Sequence, residues 1–213
     1  MNRGYHEIKE HGKREFPFNI YPCSIPVDFS HVALHWHEEM EIIAVKKGKG
    51  RITVDTVSYP VEEGDILAVF PGQLHAISCG NGERMEYENI IFRLSMLMGD
   101  NGDGCTVHFL KPLQEGQAKN PVLIQRNQPD HEVFGKVIQE LDRFSEIRGN
   151  GYQLAVKGQL FLFLYYAYGR GILFTEKKPG HAREKIKGIL EYIREHFGEE
   201  ITIRQAAELC FYS

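Results

Sequence analysis

The stretch LHWHEEMEIIAVKKG, residues Leu34–Gly48, is the most informative part of the sequence for the fold. Its apolar second half predicts a β-strand over Leu34–Val45. Alternate side chains of a strand share a face, so His35, His37 and Glu41 are expected to point the same way. Two imidazoles and one carboxylate therefore line one surface of the predicted strand.

A fourth residue is predicted to join this group. The segment GDILAVFPGQLH places His75 after a Pro71–Gly72 turn, where a neighbouring strand brings it to the same surface. Imidazole and carboxylate ligands together suit iron, manganese, nickel or zinc. The residues leave two interpretations open, a divalent metal site and a metal-free polar pocket. A purely structural cluster is disfavoured, because imidazoles inside a narrow barrel need hydrogen-bond partners or a ligand.

Short strands separated by glycine-containing turns extend from Ile20 to Phe109, a pattern typical of a small β-barrel or sandwich. The strands with the clearest pattern are Leu34–Val45, Gly50–Val54, Asp65–Phe70 and Met85–Leu94. Turns are predicted at Lys47–Gly50, Glu63–Asp65, Pro71–Gly72 and Gly80–Gly82.

Beyond Pro129 the apolar period changes to that of a helix, and Asp130–Arg148 is predicted to be helical. Gly149–Gly151 breaks this helix, and a second, very apolar helix over Tyr152–Tyr168 completes an αα-hairpin. The second helix is apolar nearly all round, which is more than one barrel wall can bury. A dimer interface is predicted there, with complete burial inside one subunit as the alternative. The residues expected at the interface are Leu160, Phe161, Leu164 and Tyr168.

The C-terminal part contains a linker and two further helix patterns. Thr175–His181 is predicted to be the linker, and apolar residues from Ile186 to Phe197 mark one face of a helix. Thr202 with Gln205 three residues later predicts a capping box that opens another helix, through Leu209.

Composition limits the class of protein. The 213 residues are 42% hydrophobic and 25% charged, which is ordinary for a globular protein of two modules. The net charge of −4 gives no general attraction for nucleic acid. The four cysteines form no C-x-x-C pair, which favours free thiols. The charged N-terminus lacks an apolar stretch for export or membrane insertion, so a cytoplasmic protein without membrane contact is expected.

Two motifs resemble those of the cupin family. The spacing of His35, His37, Glu41 and Gly48 is similar to its first motif, and that of Gly64, Pro71, Gly72 and His75 to its second. The resemblance implies that the three histidines and the glutamate form the site of the barrel. In enzymatic cupins the corresponding residues hold a divalent metal.

The whole chain resembles the AraC family of transcription regulators. The resemblance rests on FPFNIY before the barrel, HWHEEMEI within it, the paired helices after it and the terminal segment REKIKGILEYIREHFGEEITIRQAAELCFYS. It implies a mainly β protein with α-helices, namely a cupin-type jelly-roll barrel followed by an αα-hairpin and an incomplete helix-turn-helix segment. The implied domains are an N-terminal arm (1–18), a ligand-sensing barrel (19–128), a dimerising hairpin (129–174), a linker (175–182) and part of a DNA-binding domain (183–213).

The function predicted from these features is that of a ligand-responsive transcription regulator and not of an enzyme. A small polar effector, often a sugar in this family, is expected to bind His35, His37, Glu41 and His75 under the N-terminal arm. The chain is expected to form a homodimer. It is expected to bind DNA only in a form that includes a recognition helix, which residues 183–213 lack. The alternatives are a metal-dependent cupin enzyme, such as an isomerase or dioxygenase, and a dimeric module that sequesters a small molecule.

Overall fold

The computed structural model describes residues 6–7, 11–172, 174, 181–196, 198–199, 201–202 and 205, without the side chains of 181–186 and 194. Its described part is a β-barrel covered on one side by helices. The eight named strands are β1 (Phe18–Ile25), β2 (Val32–His35), β3 (Met40–Val54), β4 (Val57–Glu62), β5 (Ile66–Val69), β6 (His75–Ser78), β7 (Met85–Phe92) and β8 (Val122–Ile124). All of their pairings are antiparallel.

The long strand β3 connects the two layers of the barrel. Its first part lies between β7 and β5 in the order β1-β7-β3-β5-β8, and its second part pairs with β4 and β6. β2 completes the second layer by pairing with β6. This arrangement confirms the predicted cupin-type jelly-roll.

The two faces of β3 are buried against different parts of the molecule. Ile43 and Val45 belong to a cluster inside the barrel that includes Tyr87. Ile42 and Ala44 belong to a second cluster, which the helices cover. Burial on both faces explains why this strand begins as a continuous apolar run instead of an alternating one.

The helical segments follow β7 in the chain. After a short 3₁₀ turn (Leu94–Leu97), a π-helical stretch (Thr106–Leu110) continues into α1 (Lys111–Gln114), and the later helices are α2 (His131–Ile147), α3 (Tyr152–Gly169) and α4 (His181–Glu195). β8 lies between α1 and α2. α2 and α3 form the predicted hairpin, with the rings of Phe134 and Phe163 in edge-to-face contact at 5.3 Å. In the described part of the chain, no helix has the length and hydropathy needed to cross a membrane.

Two details of the strand prediction are wrong. Residues 36–39 lie outside the strands, so Leu34–Val45 is two strands and not one. The predicted turn at Lys47–Gly50 lies inside β3 instead. The pairing of β3 with β7 shifts register between Val45 and Lys47, and Gly48 has a φ of +78°, so a bulge absorbs the glycine without ending the strand. The strands β1, β4, β6 and β8 are not among the predicted ones, because β1 and β4 contain Pro22 and Pro60 and the other two are too short for a clear period.

The predicted dimer residues of α3 lie on different sides of the helix. Leu160 and Leu164 are 0% and 4% exposed and belong to the core of the subunit, so assigning them to a dimer interface is corrected. Packing against α2 and the outer face of the barrel buries them. Phe161 is 39% exposed and Tyr168 is partly buried.

The capping box at the C-terminal end is confirmed. The backbone N–H of Gln205 donates to Thr202 Oγ1 at 3.3 Å, and the backbone N–H of Thr202 donates to Gln205 Oε1 at 2.8 Å. The rest of the helix predicted through Leu209 and most of the predicted linker lie outside the described residues. The domain boundaries therefore stay predictions.

Candidate functional site

All four predicted site residues meet at one end of the barrel. His35 is the last residue of β2, His37 lies in the following loop, Glu41 is on β3 and His75 begins β6. One ligand atom from each residue lies within 4.8 Å of those of the other three. We refer to these four residues as the His–Glu cluster.

The cluster forms for a different reason from the one predicted. Because residues 36–39 are not a strand, alternation along one strand does not orient His37. Its position is set by the loop, where the carbonyl of His37 accepts from the backbone N–H of Gly72 at 2.8 Å. The Pro71–Gly72 turn therefore fixes His37 as well as bringing His75 into place.

A single carboxylate oxygen of Glu41 joins two imidazoles. Its Oε2 atom is 2.9 Å from His37 Nε2 and 3.1 Å from His75 Nε2. The opposite ring nitrogens, both Nδ1, lie 3.1 Å from the Glu39 carbonyl and 3.0 Å from the Gln73 carbonyl. A carbonyl only accepts, so each Nδ1 is held as a donor and each Nε2 is turned toward Glu41.

Burial and charge act against each other in this cluster. Burial alone raises the pKa of Glu41, but His75 and His37 outweigh it and hold that pKa well below the ordinary value. Burial alone lowers the pKa of His37, but the hydrogen bond and the charge of Glu41 raise it. Both shifts favour an ion pair between His37 and Glu41, whose side chains are each 2% exposed.

His35 differs from the other histidines. Its pKa is lowered to about 4, first by burial and then by the neighbouring His75, whose ring centre is 4.1 Å away. At neutral pH His35 is therefore an uncharged imidazole. Its Nδ1 lies 2.9 Å from the Ala33 carbonyl, which leaves Nε2 as the acceptor.

Sequence reasoning missed a second buried carboxylate. Glu39 is 3% exposed, its Oε2 is 3.7 Å from His37 Nδ1, and its Oε1 accepts from Arg93 Nε at 2.8 Å. Glu39 lies in a charged loop, and nothing in the pattern HEEME distinguishes it from a surface glutamate. Only the distant partner Arg93, 54 residues later, marks its role.

The N-terminal arm lies against the cluster. The backbone N–H of Glu7 donates to the Trp36 carbonyl at 2.9 Å, and Glu7 Oε2 is 3.6 Å from His35 Nε2. His11 is 4% exposed, and its ring centre is 6.3 Å from that of His37. The arm residues that the structure describes therefore close one side of the His–Glu cluster.

The donor set fits a divalent transition metal. Three imidazoles and one carboxylate are the ligands that iron, manganese, nickel and zinc accept. The Glu39 and Gln73 carbonyls hold two of the imidazoles by Nδ1, in the way that outer partners hold metal-binding histidines. The cluster is equally able to hydrogen-bond the hydroxyl groups of a polar ligand, because it combines donors with acceptors.

Comparison with known proteins assigns the chain to a family. Residues 26–164 match the AraC-like ligand binding domain. The uncharacterized HTH-type transcriptional regulator YdeC of Bacillus subtilis is 20% identical over 210 residues, which are 98% of this chain and 71% of YdeC.

Among solved structures, ToxT from Vibrio cholerae is 14% identical with a TM-score of 0.45, covering 93% of this chain and 72% of ToxT. A Cupin 2 conserved barrel domain protein from Salinispora arenicola is 22% identical with a TM-score of 0.34. That match covers 38% of this chain and 66% of the cupin protein, slightly less than two thirds of its length. On the match over residues 26–164, the chain belongs to the family of AraC-like ligand-binding domains.

Proposed function

We propose that this chain is the sensing and dimerising portion of a cytoplasmic transcription regulator, and that a small polar effector, such as a sugar, binds its His–Glu cluster. The observation that carries the proposal is the buried charge pair of His37 and Glu41 at the arm-covered end of a barrel whose family is a ligand-binding one. DNA binding is proposed only for a form of the protein that includes a complete helix-turn-helix.

The chemistry of the cluster favours a polar effector. Removing a charged carboxylate from water is costly unless hydrogen bonds replace its hydration. Here the carboxylate and two imidazoles replace water for one another, with Glu41 Oε2 shared between His37 and His75. Hydroxyl groups of a ligand both donate and accept, so they can insert between these partners without leaving any of them unsatisfied.

The arm is proposed to regulate access to the cluster. His37, Glu41 and His75 are each no more than 2% exposed in the structure. Glu7 and His11 are the described arm residues that lie against the cluster, so we propose that they move away when an effector enters.

One observation favours the alternative of a metal-dependent enzyme. The four ligand atoms of His35, His37, Glu41 and His75 already lie within 4.8 Å of one another, close to what a bound ion requires. We favour the regulator because the curated relative YdeC is named as a transcriptional regulator and matches 98% of this chain.

The effector proposal is tested with a thermal-shift screen of monosaccharides, sugar acids and polyols. A compound present at about 100 times its dissociation constant stabilises the folded state by about 2.7 kcal/mol. We expect at least one compound to raise the melting temperature of the native chain and to have no effect on Glu41→Gln. His31→Gln, which changes an exposed histidine four residues before His35 in the sequence, serves as the control and should respond like the native chain. A compound that stabilises Glu41→Gln equally does not bind the cluster and contradicts the proposal.

Metal content distinguishes the regulator from the enzyme. The protein is purified without a metal-binding tag and its bound metals are measured by elemental analysis. Stoichiometric iron, manganese, nickel or zinc in the native chain that is lost in His37→Ala, together with turnover of a substrate, would replace the proposed function by the alternative. Effector binding that persists after treatment with a chelator supports the metal-free pocket.

A further inference from the structure

Trp36, the single tryptophan of the chain, lies between two residues of the His–Glu cluster in the sequence. Its indole stacks on the ring of His6 from the arm, with centres 4.1 Å apart and planes 15° from parallel. The same residue contacts α4, because Lys187 Nζ lies 3.8 Å from the centre of the indole. Trp36 therefore contacts the arm and α4 while its neighbours His35 and His37 belong to the site.

Lys187 is placed unusually for a lysine. It is 8% exposed, whereas the other α4 side chains that the structure describes are half-buried or exposed. An ammonium group loses hydration when it is buried, and the face of an indole compensates for part of that loss. Its position against Trp36 thus has an energetic reason and is not the chance location of a mobile surface side chain.

A second contact of Lys187 leads to the same cluster. A Cβ atom at Gly72 would lie 3.2 Å from Lys187 Nζ, so the lysine passes closely over the Pro71–Gly72 turn. The backbone N–H of Gly72 donates to the His37 carbonyl at 2.8 Å. Lys187 therefore contacts both Trp36 and the Pro71–Gly72 turn. Trp36 is joined to His37 by a peptide bond, and Gly72 is joined to it by a backbone hydrogen bond.

The surroundings leave space for this contact to change. A cleft of about 360 Å³ lies between the barrel and α4, and its lining includes Trp36, Gly72, Arg93, Gln114 and Lys187. Arg93 also binds Glu39, which lies against His37. A change at His37 therefore reaches residues that line an open cleft beside α4, and not only a closely packed core.

We propose that Trp36 and the Pro71–Gly72 turn couple the His–Glu cluster to α4 through Lys187, so that a rearrangement of residues 35–37 changes how firmly α4 is held against the barrel. The inference rests on the proposed function in one respect, because it takes the cluster as the place where an effector acts. In this proposal Lys187 connects the His–Glu cluster to α4, which leads to the C-terminal end of the chain.

The test measures coupling between the two positions by hydrogen exchange on the whole chain, without any ligand. Glu41→Gln disturbs the cluster, and Lys187→Met removes the cation but keeps a flexible apolar side chain. Lys119→Met, at an exposed lysine, is the matched control. Deuterium uptake is followed in peptides that cover residues 188–195. His35→Gln replaces Glu41→Gln if the latter does not fold.

We expect the cluster substitution to change the exchange rate over residues 188–195 by at least about threefold in the native background and in the Lys119→Met background. In the Lys187→Met background the same substitution should have little further effect, because the connection is already broken. The emission of Trp36 should shift with either substitution.

An unchanged exchange rate over residues 188–195 in Glu41→Gln would overturn the inference, as would an equal change with and without Lys187. A shift of Trp36 emission without any change in α4 would also overturn it. The proposed function can fail independently of this inference. If the exchange experiment shows coupling but no effector binds the His–Glu cluster, only the proposed effector site is contradicted. If an effector binds but no coupling is seen, only the role of Lys187 is contradicted.

Discussion

His37 and Glu41 have opposite shifts in their pKa because each stabilises the charge of the other in a buried place. His35, only two residues before His37, is held neutral, because it is largely buried and no carboxylate of the described residues lies within hydrogen-bond distance of its ring. These two histidines, close in the sequence, thus have pKa values shifted in opposite directions. The difference favours a protonated donor at His37 and a neutral acceptor at His35 for an incoming ligand.

His35 predicts a loss of stability in acid. Its pKa is about 4 in the folded chain and near 6.5 in the unfolded chain, so below pH 6.5 the unfolded chain takes up a proton that the folded chain does not. Unfolding therefore becomes easier as the pH falls from 6.5 to 4. The shift corresponds to about 3 kcal/mol at pH 4, and His35→Gln should lack this contribution.

The measurement is urea unfolding of the chelator-treated protein at pH 6.5 and pH 4.5. His31→Gln, at an exposed position, should keep the native dependence. A His35→Gln variant that loses as much stability in acid as the native chain would show that His35 is not the group responsible. Above pH 6.5 the raised pKa of His37 acts in the opposite sense, since its contribution is lost as the pH rises through that pKa.

At the scale of elements, β3 determines the arrangement of the barrel. It supplies Glu41 at one end, pairs with four other strands and crosses from one layer to the other. The crossing requires a bulge near Gly48, where the chain adopts a positive φ. A Cβ atom at this glycine would lie 2.0 Å from the Arg84 carbonyl oxygen.

Gly48→Ala is expected to lower the free energy of unfolding by more than the cost of placing alanine in a left-handed backbone conformation. Gly82 also has a positive φ, of +76°, but no atom of the described residues lies within 4 Å of the Cβ position there. Gly82→Ala should therefore cost about 1 kcal/mol for the left-handed conformation. Gly48→Ala carries the same cost plus a clash with backbone, and we expect a total above about 3 kcal/mol. Thermal unfolding of both variants gives the comparison, and equal losses would mean that the bulge relaxes around the new side chain.

At the scale of the whole molecule, α3 leaves an apolar stripe uncovered. Leu154, Phe161 and Tyr165 are 78%, 39% and 71% exposed and repeat at helical spacing, with Leu162 beside them at 43%. Gly158 lies within the stripe and permits close approach of another helix. The proposed homodimer therefore uses this exposed face, and not Leu160 and Leu164, which the subunit core already contains.

Phe161→Glu is expected to weaken a dimer formed through this face. A stable interface buries more than about 1,000 Å² in total, and a charge at its centre would lose its hydration on association. Light scattering after gel filtration at tens of micromolar should give the mass of a dimer for the native chain and of a monomer for Phe161→Glu. Val57→Glu, at an apolar residue of β4 that is 52% exposed, should remain dimeric. A native chain that is monomeric at this concentration would contradict the dimer.

DNA binding is expected to require more than residues 1–213. Reading base edges needs an element in the major groove, and residues 183–213 are predicted to supply only the first helix of such a motif. From His181 to Ser213 there are five basic and six acidic residues, so phosphate attraction is weak as well. The affinity for the DNA upstream of its gene is measured by fluorescence anisotropy at low salt, both for this chain and for a form extended by a recognition helix. Sequence-selective, saturable binding by residues 1–213 alone would refute this expectation.

Features that depend on local spacing could be predicted from the amino-acid sequence alone. The 3.6-residue period located α2 and α3 within a residue or two, because a helix closes its hydrogen bonds among near neighbours. The capping box at Thr202 and Gln205 is local in the same way. The motif around His35 and Glu41 predicted the cluster correctly. The explanation by alternation along one strand was wrong, because His37 lies in a loop.

Which charges face each other in detail depends on long-range packing. The two motifs predicted that His75 joins Glu41, but they did not predict that His37 and His75 share one oxygen of Glu41. Arg93 is 54 residues from Glu39, and no local pattern encodes that pairing. The burial of Leu160 likewise follows from the packing of α3 against α2 and the barrel and not from the composition of α3, which is apolar on nearly every side. Local spacing in the sequence therefore predicts where the helices lie and which residue types form the site. Which side chains are buried, and which charged groups pair, depends on long-range packing, because the segments that meet are distant in the chain.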